Sequence, residues 1–381
     1  MGACSGVFAL MKTILLLFYC AVSFATAAEV PILQLGANAM QPRTVAGPGN
    51  NASLVYLDGK PAACEVMVAT IREAGTLDNV RRVSTPESQA GATGTVRGPT
   101  LAMGVGGVRH VLWSGTNGSA AAGKGSALFY SRLDAYFNAS KPQDMMGKTV
   151  ALDGGAAVAS DGKGKVWIVW HAGMKEGGGE AQRRVFIRQS NDDGLTFGEP
   201  WTPKGEAFGV CACCGVAAAA NAGGALAIWY RTAIASNGRG ARLIELPAGA
   251  TAATPSKLLA QDDWQMPTCP MTTAECRESN NGMTVQWVRA FQLQTWAGAT
   301  TAAASKQTTA VMNHPRSVFN AQGEELRTWV EGSGWNKAGV MHWQVFAKDG
   351  SPSSLAGNSK GKLWSYAAPF LTADGRWGIV F

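Results

Sequence analysis

The sequence predicts an all-β protein, a β-propeller of six four-stranded antiparallel blades, with seven as the alternative count. Three observations lead there. One hairpin recurs six times along the chain, which marks radial repetition of a small β unit. Glycine is spread throughout, 47 in 381 residues, and only 15% of residues are charged, a balance that suits many short strands joined by turns. No long amphipathic helical pattern interrupts them.

The copies can be followed in order. Residues 98–115 read G-P-T-L-A-M-G-V-G-G-V-R-H-V-L-W-S-G: a strand of small residues, a glycine-rich turn, and a second strand carrying Trp113. The same shape returns in 150–170, turning at Asp161-Gly162, and in 214–231, turning at 221–224. It returns again in 270–289, 315–331 and 369–381, with turns at Asn281-Gly282, Gln322-Gly323 and Asp374-Gly375. In such pairs one side chain bonds its own backbone while glycine accepts positive φ. Alternating runs at 126–130, 184–188, 241–245 and 341–346 supply a third strand for each unit. Trp113, Trp170, Trp229, Trp287 and Trp329 fall at one register of the repeat and read as blade core.

Closure can also be read. The last unit, 366–381, ends after two strands, while two spare strands, about 53–57 and 65–72, precede the first copy. Pairing them with the last unit leaves no bare edge, giving five continuous blades and one shared. A separate N-terminal blade would make seven. Residues 28–381 are read as a single domain.

The first 27 residues carry an address. Lys12 precedes an apolar run, 13–24, and then Ala25-Thr26-Ala27, the layout of a cleavable secretory signal peptide. The run is too short for a stable membrane anchor, so the mature chain is expected in the periplasm or secreted. The net charge of +7 is diffuse, without the basic stripe of a nucleic-acid protein. Partners are therefore sought among glycans, anionic small molecules or proteins, for a chain expected to be a monomer.

Residues 190–197, S-N-D-D-G-L-T-F, follow a strand-like run and have the chemistry of a turn clip. Asp192 can accept amides across the turn, Gly194 supplies a left-handed residue and Phe197 buries its ring. Ser190, Asp192, Gly194, Thr196 and Phe197 match the Asp-box pattern S/T-x-D-x-G-x-T-W/F, so the chain resembles the sialidase-like (neuraminidase superfamily) β-propellers. The resemblance implies that the box joins the outer strands of a blade on the face away from an active site. It is a structural signal. Residues 131–137 and 347–350 look like degraded copies.

Two clusters carry candidate chemistry. Cys211, Cys213 and Cys214 (C-A-C-C) and Cys269 (T-C-P) open two consecutive hairpins, so neighbouring blades would bring the thiols together. Disulfides are the default in an oxidising compartment, for instance Cys269 bridging to the neighbouring blade; a thiolate site for Cu or Zn is the alternative. Cys-Cys and Cys-Pro before inner hairpins also resemble uncharacterised bacterial exported members of the superfamily, over about 150–381. Arg231 (W-Y-R, beside Tyr230), Arg289 (W-V-R) and Arg316 (H-P-R) end or begin hairpin strands in three blades. They are the ligand-binding candidates, because a guanidinium fork matches a planar anion.

In sialidases such an arginine triad clamps the substrate carboxylate and a Tyr–Glu pair attacks the sugar. Here the R-I-P element of that family is absent. Gln41-Pro42-Arg43-Thr44 is the nearest stretch, and no tyrosine has a glutamate at recognisable spacing. The leading expectation is a non-catalytic recognition module with a cysteine-lined funnel and no assigned catalytic residue. The alternatives are an exo-sialidase-like glycoside hydrolase and a periplasmic thiolate metal protein. His171 and His314 are the histidines expected nearest the funnel mouth.

Overall fold

The computed structural model describes residues 1, 30–72, 75–92, 94, 96–117, 126–175, 177–204, 209–233, 238–250, 255–262, 272–279, 282–289, 292–298, 300–303, 312–335, 337–364 and 366–381. The predicted signal peptide and Cys269 lie outside them. None of the described helices is long and apolar enough to cross a membrane.

The described strands form seven sheets, and each inner strand lies against the neighbouring blade, so the ring closes. The first blade runs Ala39–Ala46, Ala52–Lys60, Ala63–Ile71 and Leu77–Arg82. The second runs Thr100–Met103, Arg109–Asn117, Ser126–Leu133 and Gln143–Asp144. The third has Ala157–Ser160, Val166–Ala172 and Arg184–Ser190, with Trp201 bridging back to Ile187. The fourth has Ala217–Ala220, Leu226–Ala233, Arg239–Leu246 and Lys257–Asp262, plus the short Gly209–Val210 pairing the end of Leu226–Ala233. The fifth contains Glu275–Ser279, Gly282–Arg289, Gln292–Ala297 and Thr300–Ala303. The sixth contains Asn313–Phe319, Glu325–Glu331, Gly339–Phe346 and Pro352–Leu363.

The seventh blade corrects the six-blade expectation. Ala368–Leu371 and Trp377–Val380 are completed by Ile32–Leu33, which lies parallel to Trp377–Val380. Three backbone bonds fasten it: Ile379 to Pro31, Phe381 to Leu33, and Leu35 to Phe381. The spare strands near 53–57 and 65–72 instead belong to a full first blade. Its inner strand, Ala39–Ala46, escapes the hairpin pattern because Pro42 and a bulge at Gln41 break its alternation, and Tyr56 stands where the sixth blade carries Trp329.

Hairpin turns are closed by single side chains. Asp161, Asn221 and Asn320 each accept the amides two and four residues on. Seven apolar clusters fill the seven gaps between neighbouring blades. Trp113, Trp170, Trp229, Trp287 and Trp329 are all buried there, in the second strands. Each face of a strand in this ring packs on a different neighbour, so the blades are stabilised mainly by one another.

Candidate functional site

In every blade the inner strand starts, and its antiparallel partner ends, on the same face of the ring. Arg43 and Arg316 lie near inner-strand starts, while Arg231, Arg289 and His171 lie at or near second-strand ends, so all five belong to this face. The hairpin turns and residues 190–197 belong to the other.

Two arginines reach their places by the same device. Gln41-Pro42-Arg43 and His314-Pro315-Arg316 each contain a β-bulge, with positive φ at Gln41 (55°) and His314 (52°). A bulge re-aims the following side chain, and proline there needs no ladder hydrogen bond. Both guanidinium groups then meet Tyr366, from the seventh blade between them: Arg316 Cζ stands 5.0 Å and Arg43 Cζ 5.6 Å from its ring centroid. The His314 ring lies 5.8 Å from it.

The two guanidinium groups repel each other, and the carboxylate of Glu275 offsets part of that repulsion at Arg316. Among the described residues no carboxylate forms an ion pair with Arg43 or Arg316. Arg316 is 4% exposed and donates one bond, to the Ala274 carbonyl at 3.1 Å. Its Nε and Nη2, the Nε of Arg43, the Tyr366 hydroxyl and both ring nitrogens of His314 are buried without a completed hydrogen bond. Burial, then the neighbouring Arg43, lowers Arg316 to about 10, which still leaves it a cation at neutral pH. Burial, then Arg316 and Arg43, holds His314 at about 3, a neutral ring. Beside this cluster a cleft of about 400 Å³ opens between the first and seventh blades, lined among others by Met40, Pro42, Lys60, Trp364 and Tyr366.

The other sequence candidates sit elsewhere. Arg231 is buried, donates to the Val288 carbonyl at 2.7 Å and acts electrostatically on Cys214. Arg289 is half-buried, one residue beyond Val288. Tyr230 packs in the core between the third and fourth blades with its hydroxyl 3.1 Å from Ser256 Oγ. The described contacts thus gather Arg316 with Arg43 and Tyr366. Arg43 was legible as the other X-Pro-Arg of the chain beside that of Arg316, a repetition that the missing Ile-Pro obscures.

The cysteine loop lies against Arg231. Cys211 and Cys214 are buried, and Cys211 Sγ is 3.9 Å from Cys213 Sγ. The Cys211 bond, Arg231 and Arg239 draw Cys214 down to about 7 against the opposing effect of burial, while Cys211 is pushed up. Arg183 donates to His171 Nδ1 at 3.1–3.2 Å, so the proton sits on Nε2 and points at the Cys214 carbonyl, 2.8 Å away. Burial, then Arg183, keeps this ring neutral, at about 3.

The opposite face carries the clip. Asp192 accepts from Ser190 Oγ (2.7 Å), the Thr196 amide (2.9 Å) and the Thr196 hydroxyl (2.5 Å), and Gly194 has φ 79°. Phe197 packs edge-on against Tyr130 of the second blade, 4.9 Å between centroids. Asp134 and Asp349 close the turns of the two degraded copies in the same way.

No family model matches the chain, and no curated protein does. Solved structures do. A Hadza microbial sialidase, Hz136, is 14% identical and superposes with a TM-score of 0.53 over 84% of this chain and 74% of that one. The Penicillium chrysogenum alpha-L-arabinanase complexed with arabinobiose gives 12%, 0.52, and 83% and 95%. A protein of unknown function from Dyadobacter fermentans gives 13%, 0.51, and 87% and 97%. The fold is a sialidase-like β-propeller. At these identities the likeness speaks of fold alone.

Proposed function

We propose that the protein is an exported, non-catalytic recognition module that seats the carboxylate of an acidic sugar on Arg43 and Arg316 beside Tyr366. The observation that carries this is the convergence of two guanidinium groups, with buried N–H donors that complete no hydrogen bond, on one tyrosine, neither of them in an ion pair with a described carboxylate. A buried cation without a partner is costly, and an anionic ligand repays that cost. The adjoining cleft is the size of a small sugar, and its aromatic and apolar lining suits a sugar ring. Two structural neighbours are, by name, proteins that act on sugars.

The absence of turnover is argued from Tyr366. A phenol nucleophile needs a neighbouring base, and among the described residues its hydroxyl has no hydrogen-bonded carboxylate. Calorimetry with N-acetylneuraminic and glucuronic acids against neutral sugars tests the reading: binding of an acidic sugar that weakens with salt and disappears in Arg316→Ala supports it. Equal affinity for neutral and acidic sugars would end it. A second reading, an exo-sialidase-like hydrolase, is favoured only by the position of Tyr366 against Arg316. Turnover of a fluorogenic sialoside that is lost in Tyr366→Phe would establish it instead.

A further inference from the structure

We propose that the cleft beside Arg43 and Arg316 takes an acidic oligosaccharide, and that Lys60 and Lys362 on its lips hold a second anionic group of that ligand, carboxylate or sulfate. The inference rests on the proposed carboxylate seat and adds to it the class of ligand. Its first support is charge. The lining of the cleft includes two lysines and neither aspartate nor glutamate, and both lysines are exposed. Phe381 lines it as well, its main-chain oxygen taking the Leu35 amide at 2.7 Å, and with a carboxyl charge there counted the lining is still net positive. Among the described residues the one lysine held in an ion pair is Lys257, on Glu245.

The second support is direction. Arg43 and Arg316 lie on inner strands, nearest the axis, whereas Lys60 ends the second strand of the first blade and Lys362 lies in the fourth strand of the sixth. All four belong to one face of the ring, where inner strands start and second and fourth strands end. Neighbouring strands lie about 4.8 Å apart, so the cleft runs outward from the guanidinium groups, over one strand spacing toward Lys60 and three toward Lys362. A single sugar ring seated on the arginines leaves the outer part unfilled, and a charged ring further along the same ligand fills it. The third support is that the lips are fixed. Ala92 donates its amide to the Pro61 carbonyl at 2.8 Å and accepts Trp364 Nε1 at 3.3 Å, so one residue ties the turn after Lys60 to the strand end after Lys362. Two ammonium groups on flexible stems thus stand on a preorganised backbone, and each meets carboxylate or sulfate as a point charge.

The test is calorimetry on the full chain with three probes: aldotriouronic acid, a trisaccharide with a single carboxylate; trigalacturonic acid, with a carboxylate on every ring; and a sulfated chondroitin disaccharide. Trigalacturonic acid is expected to bind about tenfold tighter than aldotriouronic acid, as two exposed ion pairs of about threefold each allow. Lys60→Ala/Lys362→Ala should erase that difference. Lys163→Ala/Lys348→Ala, which removes the same charge from exposed turns on the opposite face, should preserve it. A lysine-dependent gain for the chondroitin disaccharide shows that sulfate is accepted too, and its absence assigns the second anion to carboxylate. Equal affinity for the two trisaccharides, or a difference that survives Lys60→Ala/Lys362→Ala, overturns the proposal while the arginine seat stands. Equal loss in both double variants assigns the gain to diffuse surface charge and overturns it as well. Failure of every probe to bind, or binding of aldotriouronic acid that ignores Arg316→Ala, overturns the seat and this inference with it.

Discussion

Two tyrosine–histidine pairs, on opposite faces of the ring, are built from the same residue types and differ in what surrounds them. On the clip face, His110 is bonded to the Tyr130 hydroxyl at 2.8 Å and lies 3.3 Å from Asp193, whose other oxygen takes Arg132 at 3.0 Å. On the other face, His314 and Tyr366 sit beside Arg316 and Arg43, and no described carboxylate closes the group. The first group carries its own carboxylate within ion-pair range, although His110 Nε2 completes no hydrogen bond to it; the second has no ion-paired carboxylate among the described residues, and on the proposed reading that difference separates a clamp between blades from a site.

The strongest way to break this contrast is to remove one charge from each side. Arg316→Ala is expected to weaken acidic-sugar binding about 100-fold, roughly the strength of one charge-assisted contact, while stability stays level or rises because a buried unpaired cation is gone. Asp193→Asn should do the reverse, costing about 3 kcal/mol by leaving His110 and Arg132 without their anion, with affinity unchanged. Calorimetry and urea unfolding on both variants measure it. If Arg316→Ala destabilises and binds normally, the cluster is structural after all.

Acid sharpens the contrast next. His314 and His171 are held near 3 in the folded chain, against an ordinary value near 6.5 when unfolded. With folded values below the unfolded one, the unfolded chain binds more protons between these limits. Stability is therefore full above about 6.5 and falls as pH drops toward 3, by about 1.4 kcal/mol per unit for each ring. Urea midpoints between pH 7 and 5 test this, and His314→Gln should flatten the slope. An unchanged slope would mean the ring is not buried neutral.

This contrast was only partly legible in the sequence. The hairpin repeat, the tryptophan register and residues 190–197 announce blades because each is local: a turn side chain, a glycine and an apolar strand stand together in the chain. The count failed where local chemistry was broken, at Gln41 and Pro42, since a bulge looks like a gap in alternation. The site was harder still. Arg43 and Tyr366 are 323 residues apart and meet only because the first and last blades are neighbours in the closed ring. Spacing in the sequence pointed to Arg231 and Arg289, which share a position in their strands, whereas side-chain direction is set by bulges that spacing does not reveal.

Two glycines offer a finer cut. A Cβ at Gly98 would run into the Tyr366 hydroxyl and the Gln41 side chain, and one at Gly104 would run into His110 Nε2 and the Asp193 carboxylate. Both alanine variants are expected to cost about 1–3 kcal/mol through overpacking. Only Gly98→Ala should also weaken acidic-sugar binding, because only there does the displaced group belong to the open cluster. Equal loss of affinity in both would show that the two faces are coupled, and the contrast would fail.

The smallest effect is expected within a single turn. Asp192 and Asp193 are adjacent, yet Asp192 serves its own turn while Asp193 crosses to the second blade. Hydrogen bonds from the Thr196 side chain and amide, then from Ser190, hold Asp192 at about 2. Since that lies below the unfolded value, its contribution is present above the ordinary carboxylate range and is lost only as pH falls toward 2. The group is fully exposed, and water competes for each of these bonds. Asp192→Ala should therefore lower the melting temperature at pH 7 by less than Asp193→Asn does, with sugar affinity intact. At pH below 2 the variant and the parent should melt alike. A larger loss from Asp192 than from Asp193 would make the turn itself, rather than its bridge to the next blade, the clamp that holds this face.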